Sequence, residues 1–220
     1  MVRVLTFLLS AAIGALVSIA AYPQAATLSD KEKAERKSPV DIQYETVAQM
    51  LREADVTAPS YPELCRDTRM TFAYTRRSWD GGQKRGEMAN SLRAGDYARA
   101  LEIAEAILAT NYANIDAHFV AAEVEERSGN AAAATQHRAV ARGLLASMLS
   151  SGNGMSRETA FVVVNAAEEY DVLRYALNVE PGQQSHRTAG FHHYDEIVGR
   201  DQQGRSATYF FNTDIPYKWH

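Results

Sequence analysis

Three places in the sequence carry side chains suited to proton transfer or metal binding: Glu168-Glu169-Tyr170-Asp171, His192-His193-Tyr194-Asp195-Glu196, and Asp214. On a strand, His193 and Asp195 share one face, and His192, Tyr194 and Glu196 share the other. Neither face supplies the nitrogen and sulfur ligands that a zinc site takes, and no His-Glu-x-x-His helix occurs elsewhere. The one metal set the cluster allows is His193 and Asp195 joined by a distant Glu169. A surface strand of mixed polarity needs no metal, so no metal ligand and no cofactor site is assigned. Glu168, Glu169 and Asp171 favour the positive end of a helix dipole. Neighbours on one helix cannot face each other across a cleft as an acid/base pair must, so Asp214 is the opposing carboxylate such chemistry requires. No catalytic residue is assigned.

Other nucleophile and phosphate patterns fail on order. Gly152-Asn153-Gly154-Met155-Ser156 lacks the Gly-Lys-Ser/Thr ending and precedes an apolar stretch that reads as a strand, whereas a phosphate loop follows a strand into a helix. No Gly-x-Ser-x-Gly occurs. Cys65 is the only cysteine, so no internal disulfide forms, and it reads as a half-buried helix residue.

The elements around these residues follow from composition and periodicity. The chain has 220 residues, 46% hydrophobic and 23% charged, with a net charge of −4. These values exclude a disordered tail or a disulfide-stapled miniprotein, and the mild acidity argues against nucleic acid as a partner. Met1-Val2-Arg3, an apolar run from Val4 and small residues to Ala21 form a secretory signal pattern with its best cleavage site after Ala20. The expectation is an exported protein, periplasmic or secreted, with residues 1–20 as signal peptide, 21–37 as a polar flexible tether, and no membrane span in the mature chain. An uncleaved anchor is the competing reading. Ser38, Pro39 and Asp41 predict a helix start, with Val47, Met50, Leu51 and Ala54 as its apolar stripe. Ser60-Tyr61-Pro62-Glu63 predicts a second start through a capping box. Residues 38–85 are read as N-terminal capping helices, at 39–54 and 62–76, the second broken by Trp79-Asp80-Gly81-Gly82.

Residues 86–150 carry a repeat. Gly95-Asp96-Tyr97-Ala98-Arg99-Ala100 and Gly129-Asn130-Ala131-Ala132-Ala133-Ala134 recur at an offset of 34, with glycine where a helix-to-helix turn needs positive φ. Ala100, Ala122 and Ala134 are small where paired helices approach. Leu101, Ala104, Ile107 and Leu108, then Val140, Leu144, Leu145 and Met148, supply apolar faces. This stretch resembles a tetratricopeptide protein, although Lys84 and His118 stand where aromatic residues usually begin the first helix of a unit. Two units are fewer than a free solenoid needs, so other parts of the chain must cap them. Residues 151–220 change character. Thr159 to Val164 reads as a buried strand, Ala167–Leu177 as a helix, Pro181 to Ser185 as loop, and Phe191 to Val198 with Ser206 to Asn212 as a hairpin around Asp201-Gln202-Gln203-Gly204. The fold class is α+β: N-terminal helices and two tetratricopeptide-like hairpins, then a small C-terminal α/β portion with a β-hairpin.

The order of Gly95-Asp96-Tyr97, Asn114-Ile115-Asp116-Ala117-His118, His137-Arg138-Ala139-Val140-Ala141, Glu168-Glu169-Tyr170 and Tyr209-Phe210-Phe211-Asn212-Thr213-Asp214-Ile215-Pro216 is similar to that of an exported bacterial family known only as a domain of unknown function. The resemblance covers residues 60–219 and implies an exported helical-repeat fold, with no established activity and no catalytic residue. The reading that follows is a non-catalytic protein that binds a protein or peptide partner through the repeat groove, at Asn90, Arg93, His118, Glu123 and Glu126. The alternative is an enzyme or small-ligand binder whose polar cleft lies between the repeats and the C-terminal portion, built from Glu168, Glu169, His193 and Asp214. Residues 62–99 hold eight basic side chains, among them Arg66, Arg69, Arg76, Arg77, Arg85 and Arg93; these form either a face for an acidic partner or a solvated helix surface.

Overall fold

The computed structural model describes residues 38–71, 74 and 82–218. The expected signal peptide and tether, Arg76, Arg77, Trp79, Trp219 and His220 lie outside the described residues. Helix α1 (Pro39–Glu53) starts as the sequence predicts: Ser38 Oγ accepts from the Asp41 amide at 3.1 Å, and Pro39 fills the first position. Its fully buried residues are Tyr44, Ala48 and Leu51; of the predicted stripe Leu51 is buried, Val47 and Ala54 are half-buried, and Met50 is exposed. The buried Tyr44 hydroxyl donates to Asn111 Oδ1 at 3.1 Å inside the core. Helix α2 (Tyr61–Arg69) is shorter than predicted, and Ser60 makes no capping bond because its own backbone is already helical.

Two helical hairpins follow: α3 (Gly82–Arg93) with α4 (Tyr97–Thr110), and α5 (Ile115–Arg127) with α6 (Ala131–Leu149). Their turns use one hydrogen-bond pattern. The Asp96 amide donates to Ser91 O and the Gly95 amide to Leu92 O; the Asn130 amide donates to Glu125 O and the Gly129 amide to Glu126 O. Gly95 and Gly129 take φ of 76° and 81°, and Asp96 and Asn130 then cap the helices that leave the turns. Ala100, Ala122 and Ala134 are all buried, as close helix approach requires.

The C-terminal portion is a four-stranded sheet in the order β1-β4-β3-β2, flanked by short helices. Strand β1 is only Phe161–Val162, parallel to β4 (Ser206–Asn212). It stops short of the predicted Val164 because the Val164 amide leaves the ladder and donates to Glu168 Oε2 at 2.9 Å. Helix α7 (Ala166–Asp171), capped by Asn165, runs into a π-helical turn at Val172–Ala176. Strands β2 (Glu180–Ala189) and β3 (His192–Arg200) pair antiparallel, as do β3 and β4, and α8 (Asp214–Lys218) ends the described chain. The predicted hairpin is present. The predicted loop at Pro181 to Ser185 is instead the start of β2. This is the edge strand, and its pairing slips between Pro181 and Gln184, so the missing proline donor costs no ladder bond.

One core joins α1, α2 and α6 to the sheet through Leu51, Cys65, Leu144, Met148, Phe161, Ile197 and Phe211. A second, built from Met88, Ala100, Ile103, Ala104, Ile107 and Val120, holds the first hairpin to α5. The fold is α+β, with helices first and the sheet last. No helix among the described residues is long and apolar enough to cross a membrane.

Candidate functional site

The four acids and histidines expected to converge in a cleft separate into three environments. Glu168 is fully buried beneath α7 and belongs to the core: Arg69 Nε donates to its Oε1 at 2.7 Å and Arg69 Nη2 to its Oε2 at 2.6 Å. Arg69 Nη1 also donates to Ser147 Oγ at 3.0 Å, so this ion pair ties α2, α6 and α7 together. Part of the basic surplus at 62–99 is therefore consumed in the core. Elsewhere in it, Arg66 pairs with Asp67, Arg99 with Glu102 and Arg85 with Asp116.

Glu169, one position on, points at the sheet. It is 1% exposed and faces Asp195 of β3. Gln184 of β2 stands beside both, its Nε2 donating to Glu169 Oε2 at 3.0 Å and to Asp195 Oδ2 at 2.8 Å. The Tyr170 hydroxyl donates to Gln184 Oε1 at 2.6 Å, which fixes the orientation of that amide. Burial, then the neighbouring Asp195 charge, pushes the Glu169 carboxyl up to about 9, so at neutral pH it is protonated and donates to Asp195. His186, directly opposite Asp195 in the ladder, completes the chain with Nδ1 at 2.8 Å from Asp195 Oδ1. The opposing carboxylate that Glu169 was expected to find in Asp214 is thus Asp195.

Asp214 sits elsewhere. It accepts from the His193 amide at 2.8 Å and lies 2.6 Å from His192 Nδ1, and these contacts hold its carboxyl below the usual range. His193 stacks its ring on Tyr217, centroids 3.4 Å apart, and on His186, centroids 5.7 Å apart. Asp195 and Glu169 meet, but His193 does not join them. Among the described residues no three His, Cys, Asp or Glu are placed to hold one metal ion.

The repeat residues divide as well. Asn90 and Arg93 are exposed on α3, with Arg93 Nη2 donating to Asn90 Oδ1 at 2.7 Å. Glu126 is exposed and paired with Arg138, and Glu123 is half-buried and accepts from Arg127 at 3.0 Å. His118 is fully buried, so its side chain offers nothing to a partner; Nε2 bonds the Tyr112 carbonyl at 2.7 Å and Nδ1 meets His137 Nδ1 at 2.9 Å.

A concavity of about 520 Å³ runs between α3, α5 and the stretch from α7 into the π-helical turn. Met88, Ala89, Leu92, Val120 and Ala167 make its apolar lining. Arg85, Arg93, Asp116, Tyr170, Asp171, Arg174 and Tyr175 make its polar lining. Asp116 is held by Tyr175, whose hydroxyl donates at 2.5 Å, and by Arg85 at 3.6 Å. Tyr175 in turn stacks on Phe119, centroids 4.5 Å apart. The cleft lies between the helical hairpins and the C-terminal portion, and of the residues offered from sequence for partner binding or for the alternative cleft, only Arg93 lines it. Tyr170 and Asp171 were noted from sequence only as part of the acidic run, and Arg174 and Tyr175 were missed. The signal was present in their spacing, since i, i+1, i+4 and i+5 share one helical face, but the π-helical turn that presents them is not legible in residue types. A wider depression of about 820 Å³ along α1, bordered by Ala109 and Thr110, has no buried carboxylate or cation among its lining residues.

No curated protein and no solved structure matches this chain. The model of a domain of unknown function, DUF4919, matches residues 76–218, which takes in both hairpins, the cleft and the whole sheet, and the chain belongs to that family.

Proposed function

We propose that this protein is an exported, non-catalytic, tetratricopeptide-like helical-repeat protein that binds an extended segment of a protein or peptide partner. The observation that carries this reading is the cleft of about 520 Å³ whose walls come from α3 and α5, the first helices of the two hairpins. Helical repeats present such first helices on their concave side. An apolar lining with charges of both signs suits a peptide, which brings backbone, apolar and charged groups together. The α7–π-turn segment closes the end of the two-unit stack, so the groove is a short one. The signal pattern of residues 1–20 supports export, to the periplasm or outside the cell. A catalytic reading draws on the Glu169–Asp195 pair, a proton donor beside an acceptor. Neither carboxyl lines the cleft, and the binding reading is the better supported.

The test places a photo-crosslinking residue at Ala89 in the cleft, and separately at Glu102 on the exposed side of α4, in the full chain expressed in its native envelope. A discrete protein adduct from position 89 and none from position 102 is the expected result. No adduct at either position, or the same adducts at both, would overturn the reading.

A further inference from the structure

We propose that Asp171, together with Asp116, forms a subsite in this cleft for a cationic side chain, the ammonium of lysine or the guanidinium of arginine, carried by the bound segment. The inference rests on the peptide-binding reading and names what the peptide must bring. Asp171 lines the cleft yet is 5% exposed, and among the described residues its carboxyl makes no hydrogen bond and no ion pair. Leaving a buried carboxyl without a partner is costly, and such a group finds compensation in a proton, a ligand or a metal.

The other charged groups of the cleft already have theirs. Asp116 has Tyr175 and Arg85. Arg93 donates to Asn90, and the Arg174 guanidinium rests 5.6 Å from the centre of the Tyr170 ring. An anion entering the cleft would have to draw an arginine from its present contact. A cation would supply what Asp171 lacks, in a cleft that Tyr170 and Tyr175 also line.

The electrostatics of the free cleft add a coupled proton. Desolvation, with the Asp116 and Glu168 charges, drives the Asp171 carboxyl well above its ordinary range against the opposing effect of Arg85 and Arg174. Tyr74 and Tyr175 also lie within electrostatic reach, but their hydroxyls are pushed upward and stay neutral. The free cleft therefore favours the protonated form of Asp171, and an arriving cation favours release of that proton. Affinity then rises with pH.

The experiment titrates the full chain, observed by NMR, with Ac-Ala-Lys-Ala-NH2, its arginine counterpart, and the acetyl-lysine and norleucine versions. The cationic peptides should bind at least tenfold more tightly than the neutral ones, with the preference growing as the pH is raised. Asp171→Asn, which keeps the shape of the side chain and cannot ionise, should erase the preference. Equal affinity for lysine and norleucine peptides, or an unchanged preference in D171N, overturns the inference. If position 89 nevertheless crosslinks to a partner, the binding reading survives that failure; if position 89 crosslinks to nothing, the binding reading falls on its own result.

Discussion

Arg69 and Glu168, 99 positions apart in the chain, form a bidentate ion pair with side chains 3% and 0% exposed. The pair is a fastener between α2 and α7. It also explains why the most acidic run of the sequence contributes only one carboxylate to the cleft: Glu168 turns into the core, Glu169 toward the sheet and Asp171 toward α3 and α5.

Breaking that pair from one side leaves an uncompensated charge in the core. Arg69→Met should lower stability by about 3–5 kcal/mol. The double variant R69M/E168Q should recover much of the loss, because glutamine carries no charge and its carbonyl oxygen can still accept from the Val164 amide. Urea unfolding of the three proteins checks this. A double variant no more stable than R69M would show that the charge is not what the single change exposes.

The crossing of α2 and α6 depends on a missing side chain. A Cβ placed at Gly143 would stand 2.6 Å from Cys65 Sγ and 2.7 Å from Tyr61 Cε1. Gly143→Ala should destabilise by about 1–3 kcal/mol through overpacking, although alanine is the better helix former by about 1 kcal/mol. Cys65→Ala in the same chain should restore part of the loss by vacating the sulfur. Burial pushes the Cys65 thiol up to about 12 and leaves it fully enclosed, so the native protein should react with a thiol reagent only as fast as it unfolds.

How much the sequence disclosed follows the range of the interactions involved. The Ser38 cap, the two glycine turns and the β3–β4 hairpin are local, and each is readable because the residues that cause it are neighbours. The class α+β followed from such signals. The destinations of Glu168, Glu169 and Asp214 were not readable, since their partners Arg69, Asp195 and His192 come from distant positions or from another element. Periodicity read Leu51 of the α1 stripe correctly but not the burial of Tyr44, whose hydroxyl partner Asn111 lies 67 positions away.

Stability should fall as pH rises because of Glu169. Its folded value, raised to about 9 from 4.5, means that the folded chain binds more protons than the unfolded chain between those limits. The stabilisation is full below about pH 4.5 and is lost progressively toward pH 9. Glu169→Gln keeps a donor toward Asp195 and cannot ionise, so its advantage over the wild type should widen from pH 5 to pH 9 in urea midpoints. An advantage that shrinks with pH would contradict the assigned protonation.

The His118–His137 contact makes a prediction about tautomers that follows from donor counting. Burial brings His118 down to about 3, so its ring is neutral through the physiological range. A carbonyl only accepts; therefore Nε2, 2.7 Å from Tyr112 O, carries the proton and Nδ1 is a lone pair. His137 Nδ1 lies 2.9 Å from that lone pair and must be the donor. Nitrogen-15 spectra should therefore report the Nε2–H form for His118 and the Nδ1–H form for His137, a mixed pair that two exposed histidines would not maintain. The same depressed basicity fixes the acid limb: the unfolded chain takes up a proton near pH 6.5 that folded His118 refuses, so stability falls from there toward pH 3. His118→Phe fills the volume but orphans the Tyr112 carbonyl and the His137 donor, each worth about 1–3 kcal/mol when buried. The variant should be less stable at pH 7 yet lose less on acidification than the wild type, and a parallel pH profile for the two proteins would refute the assigned tautomers and the neutral core histidine together.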